Sequence, residues 1–246
     1  MQTSERINYI KKWILEYCKS MPSESETLVV GISGGIDSSV VSTICALTGK
    51  KTIVLSMPIK QIQEQHDLSL KHQEWLKNKF KNVEGHLIVL HNLFKSFKTS
   101  LNKFDNEHAL ANSRARLRMV TLYQVAASNN GIVVGTGNKV EDFGVGFYTK
   151  YGDGGVDISP IADCSKSQVW EMGKSLGILK EIVQANPTDG LWDDGRTDVN
   201  QLGMSYEELE EAMKDSSNKN HKKYLEIRKR NLHKMNPIPV CKMKDD

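Results

Sequence analysis

The stretch Leu28-Val-Val-Gly-Ile-Ser-Gly-Gly-Ile-Asp-Ser-Ser39 leads from an apolar strand through a glycine turn directly into a helix. Glycines allow a sharp turn that brings backbone N–H groups close to an anion, and the positive end of the following helix points to the same place. The stretch therefore predicts a phosphate-binding loop. Asp37 would bind the metal ion that accompanies a triphosphate, and the hydroxyls of Ser33 and Ser38 would contact its oxygens. The alternative is an ordinary strand-to-helix turn in which these residues only cap the helix.

The loop lacks the lysine of the Walker A pattern, G-x-x-x-x-G-K-[ST], which argues against a kinase or GTPase of that class. Residues 33–38 instead resemble the PP-loop, S-G-G-x-D-S, of the ATP pyrophosphatases. Enzymes of that superfamily cleave ATP between its α- and β-phosphates, usually to adenylate an oxygen of a second substrate. The resemblance implies that ATP is a co-substrate.

The composition is typical of a globular protein. The 246 residues are 39% hydrophobic and 26% charged, enough for one sizeable core, and we expect a single domain over residues 1–246. No apolar run is long enough to span a bilayer, and the N-terminus lacks the apolar core of a signal peptide, so we expect a cytoplasmic protein without a membrane partner. The net charge of +3 is too small to predict a nucleic-acid partner. Four scattered cysteines predict neither disulfides nor structural zinc.

Apolar segments alternate with amphipathic ones along the first half of the chain. An opening amphipathic helix, carried by Ile7, Ile10, Ile14 and Tyr17, ends before Pro22. The predicted strands are 28–33, 52–57, 86–91 and 132–136, and the predicted helices between them are 38–48, 61–81, 93–104 and 108–129. This alternation predicts an α/β fold, a parallel sheet with helices on both faces. Ligands bind beyond the carboxyl ends of such strands, so His91 and residues 135–138 are candidate pocket walls beside the loop.

The second half of the chain is predicted to add loops and extra C-terminal helices. Residues 143–157 combine glycines, aromatics and acids, which favours backbone placed close to a ligand over a flexible linker. A helix is predicted over 166–176, a lid over 187–203, and Ser205-x-x-Glu208 is a capping box that opens a further helix. The basic run 219–244 favours a solvated helix face, with contact to phosphates as the alternative.

Further segments make the chain resemble the ammonia-dependent NAD⁺ synthetases. These segments are Asn112–Met119, Gly135-Thr136 with Glu141, Phe147–Asp157 with its T-K-Y-G-D-G-G, and Pro187-Thr188, and they occur in the family's order. The resemblance covers roughly residues 5 to 240. It implies that the nicotinate carboxylate of deamido-NAD⁺ attacks the α-phosphate of ATP, and that ammonia then attacks the acyl adenylate to give NAD⁺ and AMP.

The same resemblance implies roles for individual residues. The ATP contacts would be Gly31, Ile32, Ser33, Gly34, Gly35, Ile36, Asp37, Ser38, Thr136, Lys166 and Thr188. The deamido-NAD⁺ contacts would be Arg116, Lys150, Asp157, His233 and Lys234. Asp37 and Glu141 would bind Mg²⁺, and the expected catalytic residues are Ser33, Asp37 and Asp153. Asp153 or Asp157 could hold a cation such as ammonium. The alternatives are that Arg116 and Arg118 are surface charges and that Glu141 caps a helix.

Two segments depart from the family pattern. Many members read G-T-D-H-A-A-E where this chain reads G-T-G-N-K-V-E over residues 135–141, so a residue that could bind metal or position water is replaced by Gly137. An Asp-Glu pair of the family corresponds here to Asp198-Val199.

The nitrogen source and the assembly are also expectations. Glutamine-dependent relatives carry a nitrilase-like domain before the PP-loop, whereas about thirty residues precede it here. We therefore expect free ammonia, or ammonia from a separate partner protein, as the nitrogen donor. The resemblance further implies a homodimer with the dinucleotide at the interface. The alternatives are a tRNA-modifying PP-loop enzyme, which the isolated cysteines disfavour, and a non-catalytic nucleotide sensor, which the presence of both Asp37 and Glu141 disfavours.

Overall fold

A computed structural model describes residues 1–187 and 198–243 of the chain. Its centre is a parallel sheet of four strands in the order β3-β2-β1-β4. The strands are β1 (Thr27–Gly31), β2 (Lys51–Ser56), β3 (Val83–Leu87) and β4 (Gly131–Val133). An isolated parallel bridge between Val134 and Ile158 continues the β4 edge. The predicted parallel sheet is therefore confirmed.

The helices connect the strands and then extend beyond the sheet. They are α1 (Thr3–Ser20), α2 (Ile36–Leu47), α3 (Gln63–Lys79), α4 (His91–Ser100), α5 (Glu107–Ala127), α6 (Lys166–Leu176), α7 (Lys180–Gln184), α8 (Asp198–Leu202), α9 (Tyr206–Lys214) and α10 (His221–Met235). A 3₁₀ turn (Asn102–Phe104) follows α4, and a π-helix (Lys139–Val145) follows β4. None of the described helices is long and apolar enough to cross a membrane.

Successive strand residues point to opposite sides of the sheet, so both of its faces carry apolar side chains. Helices cover both faces. On one face Leu28, Val30 and Val54 pack with buried residues of α1, α2 and α6. On the other face Val29 and Leu55 pack beneath α4 and α5. The predicted helices on both faces are thus confirmed.

A third apolar cluster joins the extra C-terminal helices to the π-helix. Its buried members include Val140 and Val145 of the π-helix, Leu209 of α9 and Tyr224 of α10. The predicted capping box opens α9: Ser205 accepts from the backbone of Glu208, whose carboxylate accepts from the Ser205 N–H. The extra helices therefore pack around the segment that follows β4.

The prediction for the third strand was wrong in position. The strand runs over Val83–Leu87, not 86–91, and α4 begins at His91. β3 is an edge strand of which Val83 alone is buried, so its sequence carries no alternating apolar signal and the apolar residues after it drew the prediction forward. The helix predicted over 93–104 is likewise interrupted, since α4 ends at Ser100 before the 3₁₀ turn.

A histidine lies in the core between two helices. His72 of α3 is fully buried, and its Nε2 lies 3.0 Å from the Ser42 hydroxyl of α2. Its ring stacks on Trp75 with centroids 5.5 Å apart. Burial lowers the pKa of His72 from 6.5 to about 4, because a charged ring would lose its hydration there.

This histidine predicts acid sensitivity of the fold. The unfolded chain protonates His72 near pH 6.5 and the folded chain only near pH 4, so the stabilisation is complete above pH 6.5 and is lost as the pH falls towards 4. We expect about 2 kcal/mol of the free energy of unfolding to be lost through this residue between pH 7 and pH 5. Urea denaturation at both pH values should show that His72→Gln removes this part of the pH dependence. The exposed His86→Gln serves as control, and equal pH dependence in wild type and His72→Gln would contradict the expectation.

Candidate active site

A cavity of about 270 Å³ opens at the carboxyl ends of β1 and β4. It is lined by all residues from Gly31 to Ser38, by Thr136, Glu141 and Lys166, and by Asp153 of the glycine-rich segment. Every ATP contact predicted from the sequence that lies within the described residues therefore lines one cavity. Thr188 lies outside the described residues, as does most of the predicted lid. His91 does not reach this cavity but lines a separate hollow with Phe94 and Lys98.

The phosphate-binding loop is organised by its own polar groups. The hydroxyl of Ser38 donates to the Gly35 carbonyl at 3.1 Å and lies 3.1 Å from the Ser33 hydroxyl, which accepts the Gly35 N–H. Gly35 is the N-cap of α2, so the unpaired N–H groups of the first helical turn lie at the loop. The positive end of α2 and these donors make the loop a site for an anion.

One glycine of this loop touches a neighbouring helix. Gly34 has a φ of +91°, and a Cβ atom there would lie 2.5 Å from the backbone oxygen of Gln65 in α3. The loop can therefore lie against α3 only because residue 34 has no side chain.

The charged centre of the cavity is a buried ammonium between two carboxylates. Lys166, at the first position of α6, donates from Nζ to Asp37 Oδ2 at 2.5 Å and to Glu141 Oε1 at 2.7 Å. The Tyr206 hydroxyl of α9 donates to the same Glu141 oxygen at 2.5 Å. Only 3% of the Lys166 side chain is exposed, so its charge is compensated by these carboxylates and not by water.

The three charged groups set one another's protonation. Burial alone would lower the pKa of Lys166, but the carboxylates of Asp37 and Glu141 raise it above its ordinary value, so the ammonium stays charged. Burial would raise the pKa of Glu141, but the Lys166 ammonium outweighs it and lowers that pKa. The pKa of Asp37 is raised, because burial and the neighbouring Glu141 charge outweigh its contacts with Lys166 and Asn138.

Asn138 joins the phosphate-binding loop to the π-helix. Its side-chain oxygen caps the π-helix by accepting the N–H groups of Val140 and Glu141, each at 3.0 Å, and its amide donates to Asp37 Oδ1 at 3.0 Å. The cap is thus Asn138, and the Glu141 side chain is directed to Lys166. The sequence alternative that Glu141 acts only as a cap is not what the structure shows.

Asp142 fills the space beside Gly137. An ideal Cβ at position 137 would lie 1.8 Å from Asp142 Oδ2 and 2.3 Å from its Cγ, and both residues line the cavity. Burial, then the charges of Asp153, Glu141 and Asp37, hold the pKa of Asp142 well above its usual range. The position that lost a side chain therefore faces a carboxyl group supplied five residues later.

Asp37 and Glu141 suit a magnesium ion in donor chemistry. Both carboxylates line the cavity, and Lys166 takes one oxygen of each, Asp37 Oδ2 and Glu141 Oε1, so a metal would bind at their other oxygens. Mg²⁺ in phosphate-transfer sites is held by one or two carboxylates together with substrate phosphates and water. No group of three acidic, histidine or cysteine side chains within residues 1–187 and 198–243 is arranged for a metal. A magnesium ion here would therefore depend on the phosphates of a nucleotide for its remaining ligands.

The predicted dinucleotide contacts lie outside the cavity. Arg116 is exposed on α5 and its Nε donates to the Lys150 carbonyl at 3.2 Å, so these two predicted residues are neighbours. Asp157 accepts the Val133 N–H at 2.7 Å and the Tyr123 hydroxyl at 3.1 Å, beside β4. His233 is exposed, whereas the Lys234 ammonium donates to the carbonyls of residues 146 and 148.

Four residues near the site were given no role of their own from the sequence, although Asn138 belongs to the predicted pocket wall of residues 135–138. Arg118, and not Arg116, lines the cavity, and its Nε donates to the Met57 carbonyl at 3.0 Å. Asn138, Asp142 and Tyr206 also belong to the site by the contacts above. The polar residues 138 and 142 lie in the segment after β4, which was a signal in the sequence. Tyr206 comes from a distant helix and gave no such signal.

Comparison with known proteins adds to this geometry. Residues 6–245 match the family described as NAD synthase. The NH(3)-dependent NAD(+) synthetase of Archaeoglobus fulgidus is 34% identical over 233 residues, 91% of each chain, and that of Thermoplasma acidophilum is 36% identical over 96% of this chain and 95% of its own. Among solved structures, the NMN synthetase of Francisella tularensis has a TM-score of 0.91 at 31% identity, covering 99% of this chain and 100% of its own.

The contact at Gly34 predicts a site-specific loss of stability. Gly34→Ala should combine the cost of a positive φ, about 1–2 kcal/mol, with displacement of α3 from the loop. Gly49→Ala is the matched control, because Gly49 has a φ of +80° but no heavy atom within 4 Å of its Cβ position. Urea denaturation should show a larger loss for Gly34→Ala by about 1 kcal/mol or more. Equal losses would show that contact with α3 adds nothing.

The overlap between positions 137 and 142 predicts energetic coupling. Gly137→Ala forces the Asp142 carboxyl into another rotamer and should cost about 1–3 kcal/mol of the free energy of unfolding. In an Asp142→Ala background the same change should cost about 1 kcal/mol less, because the overlapping atoms are gone. The double-mutant cycle measures this difference directly, and additive costs would contradict it.

Proposed function

Because this chain belongs to the NAD synthase family, we propose that it catalyses the ATP-dependent amidation of deamido-NAD⁺ with ammonia, giving NAD⁺, AMP and pyrophosphate. The observation that carries this proposal is the single cavity in which the phosphate-binding loop of residues 31–38 meets the Asp37–Lys166–Glu141 cluster. ATP is the co-substrate, and the reaction is a ligation.

The activation step follows from the chemistry of a carboxylate. Its negative charge repels a nucleophile, and it has no good leaving group. Attack of the carboxylate on the α-phosphate of ATP, with loss of pyrophosphate, gives an acyl adenylate from which AMP can leave. The N–H groups at the start of α2 and the Ser33 hydroxyl would bind the phosphates, and Lys166 would balance negative charge as pyrophosphate departs. We propose that Asp37 and Glu141 hold Mg²⁺, which when bound would neutralise the phosphate oxygens.

In the amidation step ammonia attacks the carbonyl carbon of the acyl adenylate and AMP leaves, so ammonia has to be held beside that carbon. Asp153 lines the cavity and is fixed by accepting the Thr149 N–H at 2.9 Å, which favours it as the residue that orients ammonium. We propose the exposed Arg116 and the partly buried Lys150, with Asp157 and the His233-Lys234 pair, as contacts for the remainder of the dinucleotide. Their place outside the cavity suits a long substrate of which only the nicotinate end enters the cavity, where it would meet ATP.

Several further proposals concern the setting. A homodimer would cover the exposed deamido-NAD⁺ contacts with a second copy of the chain. A cytoplasmic location would give access to ATP. The curated relatives are named NH(3)-dependent, which supports free ammonia, or ammonia delivered by a separate partner protein, as the nitrogen source.

A second candidate substrate is nicotinate mononucleotide. The solved neighbour with a TM-score of 0.91 is named an NMN synthetase, and its reaction would place the same nicotinate carboxylate on the same ATP site. The two candidates differ only in the adenylyl half of the substrate, which would lie outside the cavity.

The decisive measurement follows AMP and amide product in purified protein supplied with Mg-ATP and ammonium. With deamido-NAD⁺ present, we expect AMP and NAD⁺ in equal amounts, and neither product without it. Nicotinate mononucleotide in a parallel reaction should give a lower kcat/KM than deamido-NAD⁺. The reverse preference would establish the mononucleotide as substrate, and failure of both carboxylates would refute the proposed amidation.

A pair of lysines on α6 provides the matched variants for this assay. Lys166→Met should lower kcat by about 100-fold or more, because it leaves the Asp37 and Glu141 charges uncompensated where the phosphates bind. Lys174→Met changes an exposed lysine of the same helix and should retain activity. Circular dichroism checks that both variants are folded, and an active Lys166→Met would remove Lys166 from the machinery.

A further inference from the structure

The C-terminal helix α10 presents a row of side-chain donors to the segment that follows Glu141. Arg228, Asn231 and Lys234 are spaced three residues apart and so lie along one side of the helix. Arg228 Nη1 donates to the carbonyls of residues 143 and 144, the latter at 2.6 Å. Asn231 Nδ2 donates to the residue 145 carbonyl at 2.9 Å. Lys234 Nζ donates to the carbonyls of residues 146 and 148 at 2.6 and 2.7 Å.

The carbonyls of residues 143–145 are ones that a helix leaves without partners at its C-terminus, and those of residues 146 and 148 belong to the turn that follows. The π-helix ends at Val145, so the carbonyls of its last three residues need donors from elsewhere, and α10 supplies them. Gly146 then turns with a φ of +68°, and a Cβ there would lie 2.7 Å from the Asn231 Cβ, so the two segments are in direct contact. The Tyr148 hydroxyl closes the contact by donating to the Lys234 carbonyl at 2.8 Å.

The same segment is tied to the active site through its backbone. The N–H groups of Gly146 and Phe147 both donate to the carbonyl of Glu141, the second at 2.8 Å. Glu141 in turn carries the carboxylate that meets Lys166 and Tyr206. A displacement of residues 143–148 would therefore move Glu141 through hydrogen bonds that are direct and short.

We propose that α10 acts as a positioning strap: Arg228, Asn231 and Lys234 hold the carbonyls of residues 143–148 and thereby place Glu141 for catalysis. The strap contributes no group to the reaction itself. It assigns to part of the basic C-terminal run a role that the sequence did not predict, donation to backbone carbonyls. The proposal rests on the proposed function for its kinetic test, but its structural test is independent of that function.

The test compares Arg228→Met with Arg228→Lys and with Arg230→Met. Methionine retains the apolar stem of Arg228 without its donors, whereas lysine can donate to two carbonyls as Lys234 does. Arg230 is exposed on the same helix and makes no hydrogen bond or ion pair with a described residue, so it is the matched control. Arg228→Met should lower kcat/KM about tenfold or more, Arg228→Lys should recover to within about threefold, and Arg230→Met should match wild type.

Amide hydrogen exchange separates positioning from a general loss of stability. In Arg228→Met, exchange over residues 141–148 should speed up about tenfold, while exchange in β1 and β2 stays at the wild-type rate. Wild-type exchange over 141–148 with wild-type kcat/KM would overturn the strap, as would equal impairment of the lysine and methionine variants. If Arg228→Met fails to fold, Asn231→Ala removes a single neutral donor and the same two readouts apply.

Calorimetric measurement of the affinity for Mg-ATP tests the strap without relying on the amidation reaction. The strap predicts weaker Mg-ATP binding in Arg228→Met than in Arg230→Met, because Glu141 is displaced. If wild-type protein binds Mg-ATP but amidates nothing, the proposed function fails while the exchange and binding comparison still decides the strap. Equal Mg-ATP affinity together with unchanged exchange would refute the strap whatever the reaction is.

Discussion

The buried ion pair network at Lys166 is the interaction on which the active site depends. Its ammonium joins Asp37 at the start of α2 to Glu141 in the π-helix; the ammonium is buried and both carboxylates are largely buried. Removing two carboxylates and one ammonium from water is costly, and loss of either partner would leave an uncompensated charge. The network therefore forces three distant segments of the chain to meet at one point, at the carboxyl ends of the strands.

This network also defines what the cavity can bind. With both carboxylates ionised, Asp37, Glu141 and Lys166 together carry one excess negative charge, whereas the N-terminus of α2 attracts anions. A bare triphosphate would meet donors from the loop and repulsion from the carboxylates, so a cation that binds both is needed for tight binding. Burial and the charges of Asp153, Glu141 and Asp37 hold the pKa of Asp142 well above its usual range, so this environment opposes a further negative charge in the cavity.

The sequence predicted those parts of the fold that local chemistry determines. The strand, glycine turn and helix of the phosphate-binding loop were recognisable because every residue of the motif is contiguous, and so was the capping box of α9. The sequence did not show which arginine of α5 faces the cavity. Residues two apart on a helix point in nearly opposite directions, and only the packing of α5 places Arg118 at the cavity and Arg116 outside it. The π-helix depends on the cap at Asn138 and on donors from α10, which no local pattern reveals.

The basic C-terminal run shows why charge alone does not identify a binding surface. A run of lysines and arginines is attracted to phosphates, but the same side chains are strong donors to unpaired carbonyls. Lys234 is half-buried, and burial lowers its pKa even though the carboxylates of Asp153 and Asp142 oppose that shift. A lysine that lies over the Tyr148 ring and donates to two carbonyls has one N–H left for a substrate. Most of its bonding therefore goes to the backbone it holds, and the exposed His233 is the more accessible member of the pair.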